Sequence, residues 1–263
     1  HFMYDTGLLE ELKDVILGKQ SQAEERAGGF TDWTDRIIER ATRRPGRALW
    51  REMKSDAALA FAGGQSPGAQ TLQAFLGAFS AANAVPKKVH LVGHSTGGIL
   101  HAHLVEALAA AKTKLRIASV SLLAPAATNE LFERAFVPHL RAGTFGLDEM
   151  HVYNLTDRVE QDDDVGKVYR KSLLYLVSRA FEEVIDPPAP LVGMQRYCEQ
   201  YEELRPDRLF FHYGDGRSTA RDRTKSTTHG GFDNDPATMN SVLKTVLGGS
   251  GVKRRFTRAS LDY

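Results

Sequence analysis

The spacing of apolar residues divides the chain into two parts. The first has helical spacing, and in the second, strands alternate with helices. Apolar residues recur with helical spacing through residues 8–84, which are therefore predicted to be mainly helical. After residue 84, short apolar runs separate the helical segments and predict strands at 88–92, 117–123, 151–155 and 209–213. Strands that alternate with helices predict an α/β fold with a mostly parallel sheet and helices on both faces.

Capping and breaking residues give the expected limits of several helices. A helix that begins near Thr31 is expected to be interrupted at Pro45-Gly46, because proline disrupts a helix interior. Residues 165–184 predict one long amphipathic helix. Asp235-Pro236 is typical of a helix start, and Gly248 of the end of the same helix.

The whole chain, residues 1–263, is predicted to form a single domain. Its opening Phe2-Met3-Tyr4 has the pattern of the end of a buried strand, so we expect a sheet that lacks its first strands. Residues 126–149 and 187–206 interrupt the alternation of strands and helices, and we interpret them as cap segments over a pocket. Their apolar side chains suit either a pocket roof or ordinary core. The N-terminal helices could also provide an oligomer contact.

A Gly-x-Ser-x-Gly pattern, Gly93-His94-Ser95-Thr96-Gly97, follows the first of these strands and leads into a helix. Such a strand-to-helix turn exposes the serine hydroxyl, and the glycines let the chain turn sharply. The residue after the serine donates its N–H to the oxyanion of an acyl-transfer reaction. We therefore predict Ser95 as a nucleophile, Thr96 as an oxyanion donor and His94 as a substrate-binding residue.

The same pattern occurs a second time, at Gly64-Gln65-Ser66-Pro67-Gly68, where it predicts structure rather than chemistry. Pro67 follows the serine and has no N–H to donate to an oxyanion. A serine directly before a proline is typical of a helix start, with the serine as N-cap. Ser66 is therefore interpreted as a helix cap.

A serine nucleophile needs a general base and a carboxylate that orients the base. In strand–helix enzymes with this serine turn, the acid and then the histidine follow the serine along the chain. Asp157 comes directly after the third predicted strand and is the preferred acid, while Asp162, Asp163 and Asp164 remain alternatives. His229 lies between the fourth predicted strand and the last helix and is the predicted base.

Composition and charge limit the partners, cofactors and cellular location that we expect for the protein. The chain has 34 Lys and Arg against 33 Asp and Glu, a net charge of +1, which does not indicate a nucleic-acid partner. No apolar run reaches the roughly 18 residues of a membrane span. His, Cys and carboxylates show no metal-site spacing, so neither a metal nor another cofactor is expected. Cys198 is the single cysteine, which fits a reducing compartment, and a cytoplasmic location is expected.

Residues 88–248 resemble the α/β-hydrolase superfamily. The resemblance rests on Val89-His90-Leu91-Val92-Gly93-His94-Ser95-Thr96-Gly97-Gly98, followed in order by Asp157 and His229. It implies an α/β-hydrolase-like sheet and a triad of Ser95, Asp157 and His229. Members of the family are mostly esterases, lipases, amidases and thioesterases that need no cofactor. The chain departs from the family pattern in its long helical stretch before Lys88 and in having no His-Gly segment upstream of Ser95.

The missing His-Gly segment leaves the second oxyanion donor unassigned, and Asp5-Thr6-Gly7 is one turn that could replace it. The expected activity is a serine hydrolase that cleaves a small-molecule or lipid carboxylic ester through an acyl-enzyme. Two alternatives stay open. An acyltransferase would use the same triad with an alcohol or amine as acceptor, and a binding module would keep the fold without the chemistry.

Overall fold

The computed structural model describes residues 31–80, 88–112, 115–144, 147, 149–204, 207–216, 224–249 and 252–261. The predicted strand at residues 2–4 and the turn at residues 5–7 therefore lie outside the described residues. In the described part, no helix is both long enough and apolar enough to cross a membrane.

Four parallel strands form the sheet of the described chain: β1 (Val89–His94), β2 (Ile117–Leu123), β3 (Glu149–Leu155) and β4 (Leu209–Gly214). They lie side by side in chain order, β1-β2-β3-β4. Each strand agrees with its predicted range to within two residues. The predicted α/β class with a parallel sheet is thus confirmed. Because the strands are parallel, the loops after all four meet at one edge of the sheet.

The α-helices of the described residues are α1 (Thr31–Leu59), α2 (Pro67–Ser80), α3 (Gly97–Ala110), α4 (Asn129–Ala135), α5 (Val137–Ala142), α6 (Asp157–Asp162), α7 (Leu173–Leu176), α8 (Glu199–Glu202) and α9 (Pro236–Leu247). A π-helical turn, Val177–Phe181, continues α7. Single 3₁₀ turns lie at Gln195–Tyr197, His229–Gly231 and Arg258–Ser260.

Helices pack on both faces of the sheet. On one face, Leu91 of β1 lines an apolar cavity together with Leu100 of α3. Leu91 aligns with Met150 across β2, so Tyr153, three residues further along β3, faces the opposite side. There the Tyr153 hydroxyl and the Ser241 hydroxyl of α9 lie 2.8 Å apart. The predicted covering of both faces is therefore present.

The predicted interruption at Pro45-Gly46 is wrong, because α1 continues through both residues to Leu59. Proline removes one helical hydrogen bond, but packing against the rest of the protein can hold such a helix together. A Cβ atom at Gly46 would lie only 2.1 Å from the Phe181 ring. The glycine thus lets the buried Phe181 side chain pack directly against the helix backbone.

The long helix predicted over residues 165–184 is also wrong, and only residues 173–181 are helical. Gly166 and Lys167 both have left-handed backbone conformations, with φ of 66° and 64°, which cannot continue a right-handed helix. Ser172 then begins α7 by accepting a hydrogen bond from the Tyr175 N–H at 3.3 Å. Apolar residues before Ser172, among them Tyr169, are buried although they lie in a loop and not in a helix.

Polar contacts fix α1 to the segment 169–183. The indole N–H of Trp50 donates to Glu182 at 2.7 Å, and Lys54 forms an ion pair with the same carboxylate at 2.6 Å. The Tyr169 hydroxyl donates to Glu39 at 2.8 Å, and all these groups except Lys54 are buried. Part of the predicted N-terminal helical region therefore packs on its own chain.

The segments interpreted as caps contribute mainly to the core. An isolated bridge between Thr128 and Leu191 joins the two segments. Five large apolar side chains of the two segments are buried: Leu131, Phe132, Phe136, Leu191 and Met194. Of the two alternatives left open by the sequence, ordinary core describes these five.

Candidate active site

Ser95 lies in the sharp turn between β1 and α3. Its φ is +53°, a left-handed conformation that is uncommon and strained for a residue with a side chain. The turn is held from β2 and the loop after it, because the Ser95 N–H donates to the Leu123 carbonyl at 2.9 Å and the Ala126 N–H donates to the Ser95 carbonyl at 3.0 Å. Strain fixed in this way at a strand-to-helix turn is typical of an exposed nucleophilic serine.

The first glycine of the motif has a clear steric role. A Cβ atom at Gly93 would lie 2.7 Å from the His101 ring and 2.8 Å from the Gly97 backbone carbon. At Gly97 itself a Cβ atom would meet nothing within 4 Å. The turn therefore requires glycine before the serine for close packing, whereas the described surroundings leave room at the second glycine.

Thr96 provides a backbone donor beside the nucleophile. It is the residue before α3, and its N–H has no hydrogen-bond partner among the described residues. The first amides of a helix and the helix dipole both favour a negative charge at this end. The role of Thr96 as an oxyanion donor stays a prediction, and the described chain offers no assignment for a second donor.

His229 lies against the serine, although the two residues are 134 positions apart in the chain. The Nε2 atom of His229 is 3.0 Å from the Ser95 Oγ atom. The histidine occupies a single 3₁₀ turn between β4 and α9, and only 7% of its surface is exposed. The structure thus brings together the serine and the histidine that the sequence predicted as a pair.

Burial makes the protonated form of this histidine unfavourable. Loss of solvent, followed by the positive charge of His94, lowers the pKa of His229 from 6.5 to about 3, although the Asp233 carboxylate acts in the opposite direction. A neutral imidazole can accept a proton at Nε2, which is the form that a general base needs. A buried imidazolium would need a nearby carboxylate to stabilise its positive charge.

Asp157, the preferred acid of the sequence prediction, is bonded elsewhere. Its carboxylate accepts hydrogen bonds from the Tyr175 hydroxyl at 2.7 Å and from Gln161 at 2.8 Å, and Arg196 lies 3.7 Å away. None of its contacts within the described chain is with His229. The end of β3 does deliver Asp157 to the correct edge of the sheet, but as the first residue of α6 it points to a different set of partners.

Asp163, one of the alternatives, is the carboxylate that contacts the base. Its Oδ2 atom accepts a hydrogen bond from the His229 backbone N–H at 2.8 Å, and its Oδ1 atom accepts from the Asp164 N–H at 2.9 Å. The side chain is buried, and burial raises the pKa of Asp163, while these two hydrogen bonds oppose the rise. In the described structure, Nδ1 of His229 has no hydrogen bond to a carboxylate.

The other acidic residues nearby have structural contacts. Asp162 is exposed and pairs with Arg158 at 3.0 Å. Asp164 accepts from the Lys167 N–H at 2.6 Å. It therefore closes a turn at the place where the helix over residues 165–184 was predicted to begin. Glu160 is buried, and loss of solvent followed by the Asp157 charge raises the pKa of Glu160 well above its ordinary value. Its protonated form is thereby favoured, which limits negative charge around Asp163.

His94 was predicted to bind substrate, but both of its ring nitrogens face protein groups. The Nε2 atom lies 2.8 Å from the His229 carbonyl oxygen, and the Nδ1 atom lies 3.8 Å from the Asp233 carboxylate. The His94 ring also packs beside the His229 ring, with centroids 5.5 Å apart. Sequence reasoning missed Asp233, since a carboxylate four residues after a loop histidine has no distinctive pattern.

The described residues contain no group of three or more His, Cys, Asp or Glu side chains arranged to hold a metal ion. Comparison with models of protein families, with curated proteins and with solved structures found no match to the chain. The chemistry of the site is therefore argued from its own geometry.

Proposed function

We propose that the chain is a serine hydrolase that cleaves a carboxylic ester through an acyl-enzyme on Ser95. The observation that carries the proposal is the 3.0 Å separation between His229 Nε2 and Ser95 Oγ, with Ser95 in a left-handed strand-to-helix turn. Nucleophilic catalysis needs a neutral imidazole at hydrogen-bond distance from a serine hydroxyl, and the buried His229 lies at that distance from Ser95.

In the first step, Ser95 Oγ attacks the ester carbonyl carbon while its proton passes to His229 Nε2. The carbonyl π electrons move to the oxygen, which becomes an oxyanion. The Thr96 N–H would donate to that oxygen, and the N-terminal end of α3 favours its charge. One such donor lowers the barrier by about 3–4 kcal/mol. His229 then returns the proton to the leaving alcohol as the carbon–oxygen bond breaks.

In the second step, water replaces the alcohol. His229 takes a proton from the water, the hydroxyl oxygen bonds to the acyl carbon, and Ser95 leaves with the proton returned by His229. The acid is released and the free serine is restored. No group beyond the chain, the ester and water is required for either step.

We assign the orienting carboxylate to Asp163 instead of Asp157. A base that accepts at Nε2 carries its proton on Nδ1, and a buried N–H needs an acceptor. Asp163 already accepts from the backbone N–H of the same histidine, which only Cα, Cβ and Cγ separate from Nδ1. In the proposed active form, the same carboxylate accepts from both groups. Asp157 is instead engaged by Tyr175 and Gln161.

The ester class of substrate comes from the resemblance to α/β hydrolases. In support, the chain places the serine, an acidic residue and the histidine after three strands of one parallel sheet, at the same edge and in the expected chain order. The acyl and alcohol parts of the substrate would be a small molecule or a lipid.

The test uses p-nitrophenyl esters with acyl chains from acetate to octanoate. The wild-type protein and the Ser95→Ala and Ser66→Ala variants would be assayed for p-nitrophenol release and for an acyl adduct by intact-protein mass spectrometry. We expect a burst and an adduct in the wild type and in Ser66→Ala, and neither in Ser95→Ala. Hydrolysis that is equal in Ser95→Ala, or a folded wild type without hydrolysis or adduct, would contradict the proposal.

A further inference from the structure

His94 occupies a central position between the nucleophile and the base. It is the last residue of β1 and directly precedes Ser95, yet its side chain contacts the loop that carries His229. We call residues 224–235 the base loop. A carbonyl oxygen can only accept, so the Nε2–H group of His94 donates to the His229 carbonyl at 2.8 Å. The strand that presents the serine is therefore joined directly to the loop that presents the base.

The backbone of His229 is held at both of its polar groups by side chains from different elements. Asp163, just after α6, accepts from the His229 N–H at 2.8 Å. His94 donates to the His229 carbonyl. Because the two partners lie on separate elements, these two bonds restrain movement of the 3₁₀ turn relative to Ser95.

Asp233 adds an electrostatic part to this arrangement. Its carboxylate lies 3.8 Å from His94 Nδ1, and its Oδ1 atom is buried with no hydrogen-bond partner among the described residues. The nearby His94 ring lowers the pKa of Asp233, which favours the ionised carboxylate. A protonated His94 ring carries a positive charge beside the His229 imidazole, and this charge lowers the pKa of His229.

We propose that His94, held by Asp233, is a positioning residue that fixes the base loop over Ser95 and sets the basicity of His229 through its charge. This inference rests on the proposed function, because it assigns a role within the same site. Its geometric basis is that one ring lies close to the His229 carbonyl, the Asp233 carboxylate and the His229 ring at once.

The inference predicts different results for two substitutions at this position. His94→Ala removes both the hydrogen bond and the charge, and a shift of the base by about 1 Å can cost on the order of 100-fold. His94→Gln keeps an N–H donor for the His229 carbonyl but carries no charge. Since a positive neighbour disfavours a second positive charge, its loss should make His229 easier to protonate.

The experiment measures the rate constant of labelling by a fluorophosphonate probe from about pH 2.5 to pH 9, so that the range includes the expected wild-type inflection. We expect His94→Ala to be slowed about 10- to 100-fold and His94→Gln to remain within about threefold of the wild type at pH 8. The acid-side inflection should move to higher pH in His94→Gln. His103→Gln, a histidine of α3 that pairs with Glu106, is the matched control and should behave as the wild type.

Hydrogen–deuterium exchange gives a second readout that needs no activity. Peptides covering the base loop should exchange faster in His94→Ala than in the wild type and in His103→Gln, while peptides of α3 stay unchanged. Unchanged base-loop exchange, or labelling of His94→Ala at the wild-type rate, would overturn the inference. An unshifted inflection in His94→Gln would overturn its electrostatic part. A folded wild type that is not labelled at Ser95 contradicts the proposed function instead, and the exchange data still decide the positioning role.

Discussion

The two Gly-x-Ser-x-Gly turns of this chain share a sequence pattern, but the contacts of the two serine side chains differ. Ser66 precedes α2, donates to the Gly63 carbonyl at 3.1 Å and accepts from the Ala69 N–H at 3.4 Å. Its hydroxyl thus caps a helix, as predicted from Pro67. Ser95 has a left-handed backbone and lies 3.0 Å from a buried imidazole. The pattern alone therefore does not specify chemistry.

The difference between the two turns begins in the elements before them. Ser66 follows a short turn after α1, so its hydroxyl can satisfy the first amides of the next helix. Ser95 follows a strand in the sheet, and its backbone is held by β2 and the loop after it. The Thr96 N–H, just before the helix that follows, has no hydrogen-bond partner in the described part of the chain, and the other strands of the sheet direct their loops to the same edge. A serine becomes a nucleophile candidate only in the second setting.

Removing the base should have the largest effect on the difference in labelling rate between Ser95 and Ser66. His229→Gln leaves Ser95 with no proton acceptor, and loss of a triad member costs roughly 10⁴-fold or more in rate. We expect the labelling rate of Ser95 to fall by that amount, close to the background rate of Ser66. The measurement is the second-order rate constant with a fluorophosphonate, with His103→Gln as a control. A fall of less than tenfold in a folded variant would contradict the role of His229.

Neutralising the orienting carboxylate should have the next largest effect. Asp163→Asn removes the charge that stabilises the imidazolium and weakens the bond to the His229 N–H, so we expect a decrease of about 10²- to 10⁴-fold in kcat/KM. Asp157→Asn should lower kcat/KM less than threefold, because its carboxylate serves Tyr175 and Gln161. The reverse order of the two effects would restore Asp157 as the acid.

The pH dependence of labelling gives a smaller but distinctive effect. The base works only when it is unprotonated, and burial followed by the His94 charge lowers the pKa of His229 to about 3. The rate should therefore hold its plateau to lower pH than an ordinary histidine allows, with an acid-side inflection below the usual value of about 6.5. An inflection at or above 6.5, with the fold intact by circular dichroism, would disagree with this account.

The Ser66 cap should affect stability and leave chemistry unchanged. Replacing an N-cap serine by alanine costs about 1 kcal/mol of unfolding free energy. We expect Ser66→Ala to lower the free energy of unfolding by about that amount in urea titrations, while the labelling rate at Ser95 stays within a factor of two. A loss of labelling in Ser66→Ala without a loss of stability would remove the distinction between the two turns.

The local rules predicted the sheet and the Ser95–His229 pair well, for physical reasons. Each strand is a short apolar run between polar turns, and parallel strands bring their following loops to one edge whatever the sequence separation. Asp235 caps α9 as predicted, accepting from the Ala237 and Thr238 N–H groups at 3.1 Å each. These features depend on neighbours in the chain or on the direction of the strands.

The features that sequence could not give depend on contacts between distant segments. Gly46 is compatible with a continuous α1 because Phe181 packs against it, and the helix pattern at 165–184 is broken by left-handed Gly166 and Lys167. The choice of acid required the actual direction of each carboxylate, which four closely spaced aspartates do not reveal. The contact of His94 with Asp233 likewise appears only when the base loop is placed over β1.

The most direct test of the central claim is the site of covalent labelling by a fluorophosphonate. The wild type, Ser95→Ala and Ser66→Ala would be labelled at equal concentration, digested and analysed by mass spectrometry. The account predicts one phosphonylated peptide, containing Ser95, in the wild type and in Ser66→Ala, and no labelling in Ser95→Ala. A label on Ser66, equal labelling of Ser95→Ala, or no label on the folded wild type would contradict the claim that Ser95 is an activated nucleophile.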